Sequence, residues 1–475
     1  MFSDYDNYDA TGLAALLRAG EVSASEIVDT AIAKIEQKNS ALNAIVSNCF
    51  ERARSEAKNI GVETAFCGVP YLVKDLNTWS AGMPATNGSA ALSSFVPQQD
   101  SELVARMRHA GLIIVGKTNT PEFGLNMCTS PALFGPTPNP FDASRSAGGS
   151  SGGSASAVAS GIVPAAHATD SGGSIRIPAS NCGLFGLKPT RSRVPLGNNA
   201  IEGLGGFSTG HAVTISVRDS ARLLDVTQGE LPGDIYAAPS SDVSFSRLLD
   251  NPSAKLRVAL CTHGFAKEPI HNDCIAVTQN AAQRCIEIGH ELEVAAPQID
   301  GEALRQACNV IFSSNVRTAL NTIVGADDRV TIDSLLENEQ IEPATHASAL
   351  AAQSLTATDY IGAQQVIHRV ARQMGAFFER FDILLSPTLA NPPLPLGTPS
   401  MQMTDWDEYL HQLLNELPFT PLFNAIGAPA MSVPLGRCSA GLPVGAHFGA
   451  RFGNESALLQ LARDLERAAP WHDRI

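Results

Sequence analysis

The sequence lacks the features of several protein classes. No apolar run reaches the roughly 18 residues that a membrane-spanning helix needs, and the first residues lack the basic and apolar regions of a signal peptide. Basic residues are scarce: 33 lysines and arginines stand against 47 aspartates and glutamates, which gives a formal net charge of -14. Because no basic cluster offsets this acidity, phosphate-backbone binding is disfavoured. We therefore expect a soluble, cytoplasmic protein that binds neither nucleic acid nor membrane.

Cysteine and histidine are present, but not in the arrangements that hold metals or disulfides. The nine cysteines are scattered, their number is odd, and none form a C-x-x-C pair. The eleven histidines include no H-E-x-x-H motif. We expect neither a disulfide framework nor a metal site.

Strand and helix patterns alternate along most of the 475 residues. Strands are predicted over 68–76 and 112–117, and residues 302–380 are predicted to be mostly helical. The glycine-rich segment 190–215 is predicted to be irregular. The alternation predicts one α/β body covering residues 1–475 rather than a string of separate domains.

The most distinctive stretch, residues 147–189, contains two short clusters of glycine and serine, Gly148–Ser154 and Ser171–Ser174. A flexible linker has a similar composition, but these clusters are short and flanked by uncharged apolar segments. Glycine permits close backbone approach, and hydroxyls beside inward-facing N–H groups are what acyl transfer needs. We interpret the stretch as a catalytic site.

The two clusters differ in how well they suit a serine nucleophile. Residues 149–153 match G-x-S-x-G, but that motif needs a strand directly before the serine, and turn-forming residues stand there instead. The second cluster follows an apolar strand predicted over 162–168, with a sharp turn at 170–173. Consecutive N–H groups in such a turn form an anion-binding nest, which is the geometry of an oxyanion hole. The second cluster is the better candidate.

A serine nucleophile also needs a base. His167 lies mid-strand among alanines, and we interpret it as a satisfied core histidine rather than a base. A desolvated lysine can act instead, because burial lowers its pKa toward neutrality. Lys74 shares a strand face with Leu72 and Leu76, which makes it the candidate, although a lysine at a strand end can also extend to solvent.

These residues resemble the amidase signature family of serine hydrolases, and the matching segments extend over nearly the whole chain. They are VPYLVKDL (69–76), GKTNTPEFG (116–124), GGSSGGS (148–154), TDSGGSIRIPASNCGLFGLKPTR (169–191), FNAIGAPAMSVPLG (423–436) and GLPVG (441–445). The resemblance implies an α/β fold with a large twisted mixed β-sheet enclosed by helices. It also implies a single domain with a catalytic core at about 65–195 and a variable substrate region at about 300–420.

Carried over residue by residue, the resemblance implies a Ser-cisSer-Lys triad with a cis peptide bond before its middle serine. Its members are Lys74, Ser150 and Ser174. The implied oxyanion hole is formed by the backbone of Ser171, Gly172, Gly173 and Ser174, and the implied supporting residues are Ser151, Asp170 and Arg176. The family more often has threonine at the position of Ser171, and serine keeps the hydroxyl.

The expected reaction is hydrolysis of a carboxylic amide through a serine acyl-enzyme, with no metal or organic cofactor. The uncharged loop that in the family lies close to the acyl site supplies substrate-pocket candidates, Asn126, Met127, Cys128 and Thr129. The motif sequences are most similar to those of the branch containing 6-aminohexanoate cyclic-dimer hydrolase. This favours a small, uncharged or weakly polar amide as substrate.

Two alternatives share this chemistry. The first is the A-type subunit of a tRNA-dependent amidotransferase, a glutaminase that acts with a partner subunit. That subunit usually has tyrosine where Arg191 stands and a later tyrosine-rich helix, whereas residues 300–355 contain no tyrosine. The second is an esterase that uses the same site. The sequence is also compatible with a homo-oligomer.

Overall fold

The computed structural model describes residues 2–196, 201–241, 243–325 and 329–471. The outermost residues of the predicted domain and residues 326–328 of the predicted variable region lie outside these ranges. The strands are β1 (Ile45–Asn48), β2 (Pro70–Lys74), β3 (Ile113–Thr118), β4 (Pro138–Asn139), β5 (Asp142–Ser146), β6 (Ala165–Asp170), β7 (Phe185–Lys188), β8 (Thr209–Thr214), β9 (Arg257–Leu260), β10 (Glu291–Val294), β11 (Ile383–Pro387), β12 (Ala430–Arg437) and β13 (Pro443–Ala450).

The α-helices alternate with these strands. They are α1 (Ala10–Ala19), α2 (Ala24–Leu42), α3 (Phe50–Ala57), α4 (Glu102–His109), α5 (Gly152–Ala159), α6 (Arg176–Asn181), α7 (Val217–Thr227), α8 (Phe245–Leu248), α9 (Asn272–Glu287), α10 (Gly301–Val324), α11 (Ile332–Glu337), α12 (Pro343–Ala351), α13 (Ala357–Arg380), α14 (Trp406–Asn415), α15 (Thr420–Ala425) and α16 (Glu455–Ala468). Among the described residues, no helix is both long and apolar enough to cross a membrane.

One mixed sheet of 11 strands organises the chain, in the order β1-β3-β2-β6-β8-β7-β12-β13-β11-β9-β10. Pairing is parallel between β2 and β3, β2 and β6, β9 and β10, and β9 and β11, and antiparallel elsewhere in the sheet. The predicted large mixed sheet is confirmed. Strands β4 and β5 form a separate hairpin.

Helices cover both faces of this sheet. Along β11, Ile383 and Leu385 belong to one apolar cluster, which also contains residues of α2, α7 and α16. The intervening Leu384 belongs to a second cluster, which contains residues of α10, α13 and α15. Because successive side chains of a strand point to opposite faces, both faces of β11 are buried under helices. This confirms the predicted enclosure of the sheet by helices.

The strand β8 differs from the sequence prediction, which left residues 190–215 irregular. It pairs antiparallel with both β6 and β7 in the interior of the sheet, and all six of its residues are buried. Its sequence, TGHAVT, has little of the apolar character that marks a strand. Pairing on both sides satisfies its backbone, so tertiary context decides the structure here.

Candidate active site

Strand β2 carries a lysine into the interior of the protein. All five residues of β2 are buried, and Lys74 at its end is 0% exposed. Its Nζ lies 2.7 Å from Ser150 Oγ, 2.9 Å from Ser151 Oγ and 2.9 Å from Thr169 Oγ1. Three hydroxyl groups from two other segments therefore surround the amino group.

The electrostatics of this pocket favour an uncharged lysine. Burial lowers the pKa of Lys74 well below its usual range, and the negative charge of Asp170 opposes this shift only in part. Hydroxyl groups can solvate the amino group, but unlike a carboxylate they supply no charge that would favour the ammonium form. A neutral amine keeps a lone pair that can accept a proton.

The hydrogen bonds of Ser151 indicate where that lone pair points. Ser151 Oγ donates to the carbonyl oxygen of Thr169 and accepts from the Thr169 amide, both at 3.3 Å. Because the Ser151 hydroxyl donates its proton to the Thr169 carbonyl, Ser151 Oγ accepts a hydrogen bond from the amino group of Lys74. If Thr169 Oγ1 accepts the second N–H of a neutral amine, the lone pair faces the hydroxyl of Ser150.

The loop that carries Ser150 is held tightly against a neighbouring segment. The Gly149–Ser150 peptide bond is cis, as predicted. A Cβ atom at Gly149 would lie 2.8 Å from the carbonyl oxygen of Asn126 and 2.9 Å from the carbonyl carbon of Met127, so only glycine fits. Thr129 Oγ1 secures the loop by donating to Gly148 O and accepting from the Gly152 amide.

The second serine cluster forms the turn between β6 and α6. Asp170 ends β6, and its carboxylate accepts hydrogen bonds from the amides of Gly173 (2.8 Å) and Ile175 (3.1 Å). These bonds curl the backbone around the carboxylate. Ser174, at the end of this turn, is partly exposed and lines the same cavity as Ser150.

A fully buried ion pair supports this turn from behind. The guanidinium of Arg176 donates to both carboxylate oxygens of Asp170 at 2.8 and 2.9 Å, and both side chains are 0% exposed. Asn424 Nδ2 donates to Asp170, and its Oδ1 accepts from Arg176. Burial raises the pKa of Asp170, but the Arg176 charge and these hydrogen bonds outweigh it and hold the pKa well below its usual range. The carboxylate is therefore charged.

The predicted oxyanion-hole residues are together in this turn, but their amide groups are not equivalent. The Gly173 N–H is used by Asp170, so it supports the turn rather than facing the cavity. Ser171, Gly172 and Ser174 line the cavity. The Ser171 hydroxyl lies 2.6 Å from Ser208 Oγ, a contact that holds the turn against the segment before β8.

The cavity beside these serines has a volume of about 290 Å³. No aspartate, glutamate, lysine or arginine lines it within the described part of the chain. Large apolar side chains contribute most of its surface: Leu76, Leu103, Phe123, Leu125, Met127, Ile177, Leu196, Leu204, Phe312, Trp406, Leu410, Leu413 and Leu417. The arrangement suits an uncharged ligand.

The four predicted pocket residues are divided by the structure. Asn126 and Met127 line the cavity. The side chain of Asn126 donates a hydrogen bond to Pro399 O and accepts one from the Cys128 amide, so its polar atoms already have partners within the protein. Cys128 and Thr129 are buried in structural contacts instead, Cys128 Sγ accepting from the Gly397 amide and Thr129 holding the Ser150 loop. Asn126 and Met127 remain candidates for the pocket wall, whereas Cys128 and Thr129 do not line this cavity.

His167 is buried, as expected, but it is not fully satisfied. Its Nδ1 accepts from the Lys74 amide at 3.3 Å, whereas its Nε2 has no hydrogen-bond partner among the described residues. The sequence analysis named neither Thr169 nor Asn424, and for the apolar lining residues beyond position 300 it gave only a region, about 300–420, and no individual residue. Thr169 and Asn424 stand inside the family segments, which was the available signal, while the apolar residues look like ordinary core.

A metal centre is not evident. Within the described ranges, no group of three or more histidine, cysteine, aspartate and glutamate side chains is placed to hold a metal ion.

Comparison with known proteins identifies the family. The sequence model of the Amidase family matches residues 26–459. The chain is 34% identical over 481 residues to the 6-aminohexanoate-cyclic-dimer hydrolase of Paenarthrobacter ureafaciens, covering 98% of this chain and 95% of that protein. It is 33% identical over 479 residues to the glutamyl-tRNA(Gln) amidotransferase A subunit of Prochlorococcus marinus (strain MIT 9303), covering 95% and 96%.

A solved structure agrees with these sequence matches. The structure of a 6-aminohexanoate cyclic dimer hydrolase matches with a TM-score of 0.92 and 33% identity, covering 100% of this chain and 99% of that one. Fold and comparisons together define a hydrolase of carbon–nitrogen bonds other than peptide bonds. The chain belongs to the amidase signature family.

Replacing Asp170 with asparagine should destabilise the protein. Arg176 would remain buried without its counter-charge, so the free energy of unfolding should fall by about 3–5 kcal/mol. Denaturant unfolding at pH 7 measures this, since the aspartate of the unfolded chain, with a pKa of about 3.9, is fully charged there.

The exposed pair of Arg257 and Asp382 provides the control, with side chains 46% and 31% exposed. Asp382→Asn should lower the free energy of unfolding by about 1 kcal/mol or less. Equal stability of the Asp170→Asn variant and the wild type would contradict the supporting role of the buried pair.

Proposed function

We propose that the protein hydrolyses an uncharged carboxylic amide through an acyl-enzyme on Ser174. In this mechanism neutral Lys74 takes a proton from Ser150, and Ser150 takes one from Ser174 as that oxygen attacks the carbonyl carbon. Ser150 then delivers a proton to the leaving nitrogen and regains one from the ammonium group of Lys74, the C–N bond breaks, and the amine departs. Water attacks the acyl-enzyme with the same groups acting as base.

The observation that carries this proposal is the 2.7 Å contact between Lys74 Nζ and Ser150 Oγ in a buried site. A base must lie within hydrogen-bond reach of the proton that it removes and must have a suitable pKa. The desolvation of Lys74 supplies the second condition. His167 is a poorer base, because burial above all lowers its pKa to about 3.

The tetrahedral oxyanion would be stabilised by backbone amides of the turn at 171–174. Since the Gly173 amide is used by Asp170, we assign the role to the amides of Ser171, Gly172 and Ser174. The loss of one such donor typically reduces the rate by about 10²–10³. The bonds from Asp170 fix the turn before substrate arrives, so little reorganisation is needed during the reaction.

The lining of the cavity supports a neutral substrate. A carboxylate or ammonium group placed there would lose its hydration and find no charged side chain of opposite sign within the described lining. The related protein named for the 6-aminohexanoate cyclic dimer acts on a molecule whose two amides leave no free charged end. We place the natural substrate in this class of small, neutral amides, turned over without a partner protein.

The A-type amidotransferase chain is the second candidate, since a relative with that name is 33% identical over most of the chain. Free glutamine carries both an ammonium and a carboxylate group. The described lining contains no charged side chain that could pair with either group. Ester turnover at the same site uses the same steps with oxygen as the leaving atom. Both alternatives are separated from the proposal by the choice of substrates that the chain turns over.

The nucleophile can be tested with a fluorophosphonate probe, which labels activated serines. Ser174→Ala should abolish both labelling and amide hydrolysis, because the attacking oxygen is removed while the turn keeps its backbone bonds. Ser171→Ala is the matched control in the same turn and should still be labelled. Labelling of another serine in the Ser174→Ala variant, located by peptide mass spectrometry, would show that the nucleophile is misassigned.

The base can be tested through the pH dependence of kcat. Wild-type activity should rise with pH as Lys74 loses its proton and should level off well below the usual lysine pKa of about 10.4, because burial lowers that pKa. Lys74→Met lacks the amine, and Lys74→Arg stays protonated, so neither variant should gain activity at alkaline pH.

His167→Gln provides the comparison for this experiment. It should keep the alkaline rise, since the base is still present. Loss of the rise in His167→Gln together with an active Lys74→Met variant would overturn the scheme.

The substrate class can be tested with three p-nitroanilides of nearly equal length. The hexanoyl compound is neutral, the adipoyl compound ends in a carboxylate, and the 6-aminohexanoyl compound ends in an ammonium group. The purified chain should prefer the neutral compound by about tenfold or more in kcat/KM, because each charged end would lose hydration without a partner. It should likewise open the 6-aminohexanoate cyclic dimer faster than the linear dimer.

Two results would contradict the substrate proposal. One is equal or faster turnover of the charged anilides. The other is inactivity on every small amide together with glutaminase activity once a partner protein is added, which would favour the amidotransferase alternative.

A further inference from the structure

The lining of the active-site cavity contains a polar atom that the mechanism does not use. Leu103, His167 and Gly210 lie beside one another in this lining, and we call this group the inner end. The side chains of Leu103 and His167 are 3% and 0% exposed. His167 Nε2 is buried there and has no hydrogen-bond partner among the described residues.

The hydrogen bonding of His167 fixes what this atom can do. Because the Lys74 amide donates to Nδ1, the ring proton of a neutral imidazole belongs on Nε2. Burial is the main reason that the pKa of His167 falls to about 3, so the ring is neutral at physiological pH. Nε2 is thus an N–H donor without an acceptor, and such buried donors are rare because they are costly.

Gly210 keeps the space beside this donor open. It lies inside β8, opposite Thr169, at a position where φ is not in the left-handed region. A Cβ atom there would lie 3.5 Å from His167 Nε2 and 3.2 Å from Leu103 Cδ2. Since glycine weakens a strand and this backbone does not require it, the missing side chain points to a ligand that approaches closely.

We propose that the inner end is a subsite for a neutral hydrogen-bond acceptor, such as a ketone or amide carbonyl oxygen, on the acyl chain of the substrate. The acceptor would receive the Nε2–H of His167 in the space that Gly210 leaves. This inference rests on the proposed acyl-enzyme mechanism and adds a substrate feature to it: a second acceptor, distant from the amide that is cleaved.

The surroundings explain why this acceptor is uncharged. The basic groups near His167 are Lys74, which is neutral in the mechanism, His211, whose pKa burial lowers to about 3, and Lys117, whose Nζ is paired with Asp75 at 2.6 Å. A carboxylate at the inner end would therefore be buried without a counter-charge. A carbonyl oxygen needs only the single N–H that His167 provides.

The burial of the inner end favours the acyl chain over the amine as its occupant. The acyl chain stays attached to Ser174 until water completes the reaction, so it can remain in a buried part of the cavity. The amine must leave before that step, which requires an open path.

The test compares heptanoyl p-nitroanilide with its 4-oxo, 5-oxo and 6-oxo forms. The wild type should prefer at least one oxo form over the parent by roughly tenfold in kcat/KM, which is the worth of a hydrogen bond to a donor that is otherwise unsatisfied. The ratio between two substrates is the readout, because a purely structural defect lowers both rates together.

Variants at the inner end should remove this preference. His167→Phe keeps a ring of similar size without N–H, so the oxo-to-parent ratio should fall to about one. His167→Gln retains a donor and should restore part of the ratio. Gly210→Ala fills the space and should reduce the ratio, whereas Gly375→Ala, in the exposed part of α13 with no atom near its added methyl group, should leave it unchanged.

The outcomes separate this inference from the proposed function. Hydrolysis of all four anilides at similar kcat/KM would overturn the subsite and leave the amidase mechanism intact. A preference that persists in His167→Phe would also overturn it. No hydrolysis of any anilide by the wild type would instead count against the proposed function.

Discussion

The site depends on keeping the amino group of Lys74 away from water and from any close carboxylate. In water a lysine is an ammonium ion and cannot accept a proton. Here Nζ is buried and surrounded by hydroxyl groups, which solvate an amine without favouring its charged form. Lys117 on the neighbouring strand shows the contrast, because its Nζ contacts Asp75 at 2.6 Å. Two buried lysines on adjacent strands thus have opposite surroundings.

The negative charge of Asp170 favours the ammonium form of Lys74, but the ion pair with Arg176 offsets that charge. Asp170 follows Thr169 directly, yet its carboxylate is directed to Arg176 and to the amides of the turn. The same contacts therefore do two things: they neutralise a charge that would raise the pKa of Lys74, and they set the backbone that presents Ser174. A defect in the ion pair would disturb both the base and the nucleophile.

The sequence indicates the residues of the proposed triad more directly than it indicates the residues of the cavity. Lys74 stands out because strand alternation places it between leucines, and the two Gly-Ser clusters are local signals that need no tertiary information. Phe312 and Trp406, by contrast, look like core residues of amphipathic helices. They line the cavity only because α10 and α14 pack there. Nor could the sequence show that Thr129 holds the Ser150 loop, since the contact joins segments about 20 residues apart, on either side of the β4–β5 hairpin.

The proposed catalytic residues and part of the cavity lining lie in different regions of the sequence, which indicates how members of the family can differ in substrate. The segments holding Lys74, Ser150 and Ser174 all precede residue 195, whereas four apolar lining residues come from helices beyond residue 300: Phe312, Trp406, Leu410 and Leu413. Changes in those helices can alter the cavity without moving the proposed catalytic groups, which is consistent with relatives of different names at similar identity. His167 is the exception. Its ring binds the backbone of Lys74 through one nitrogen and faces the cavity with the other, so a substitution there acts on substrate recognition and on the strand that holds the base at once.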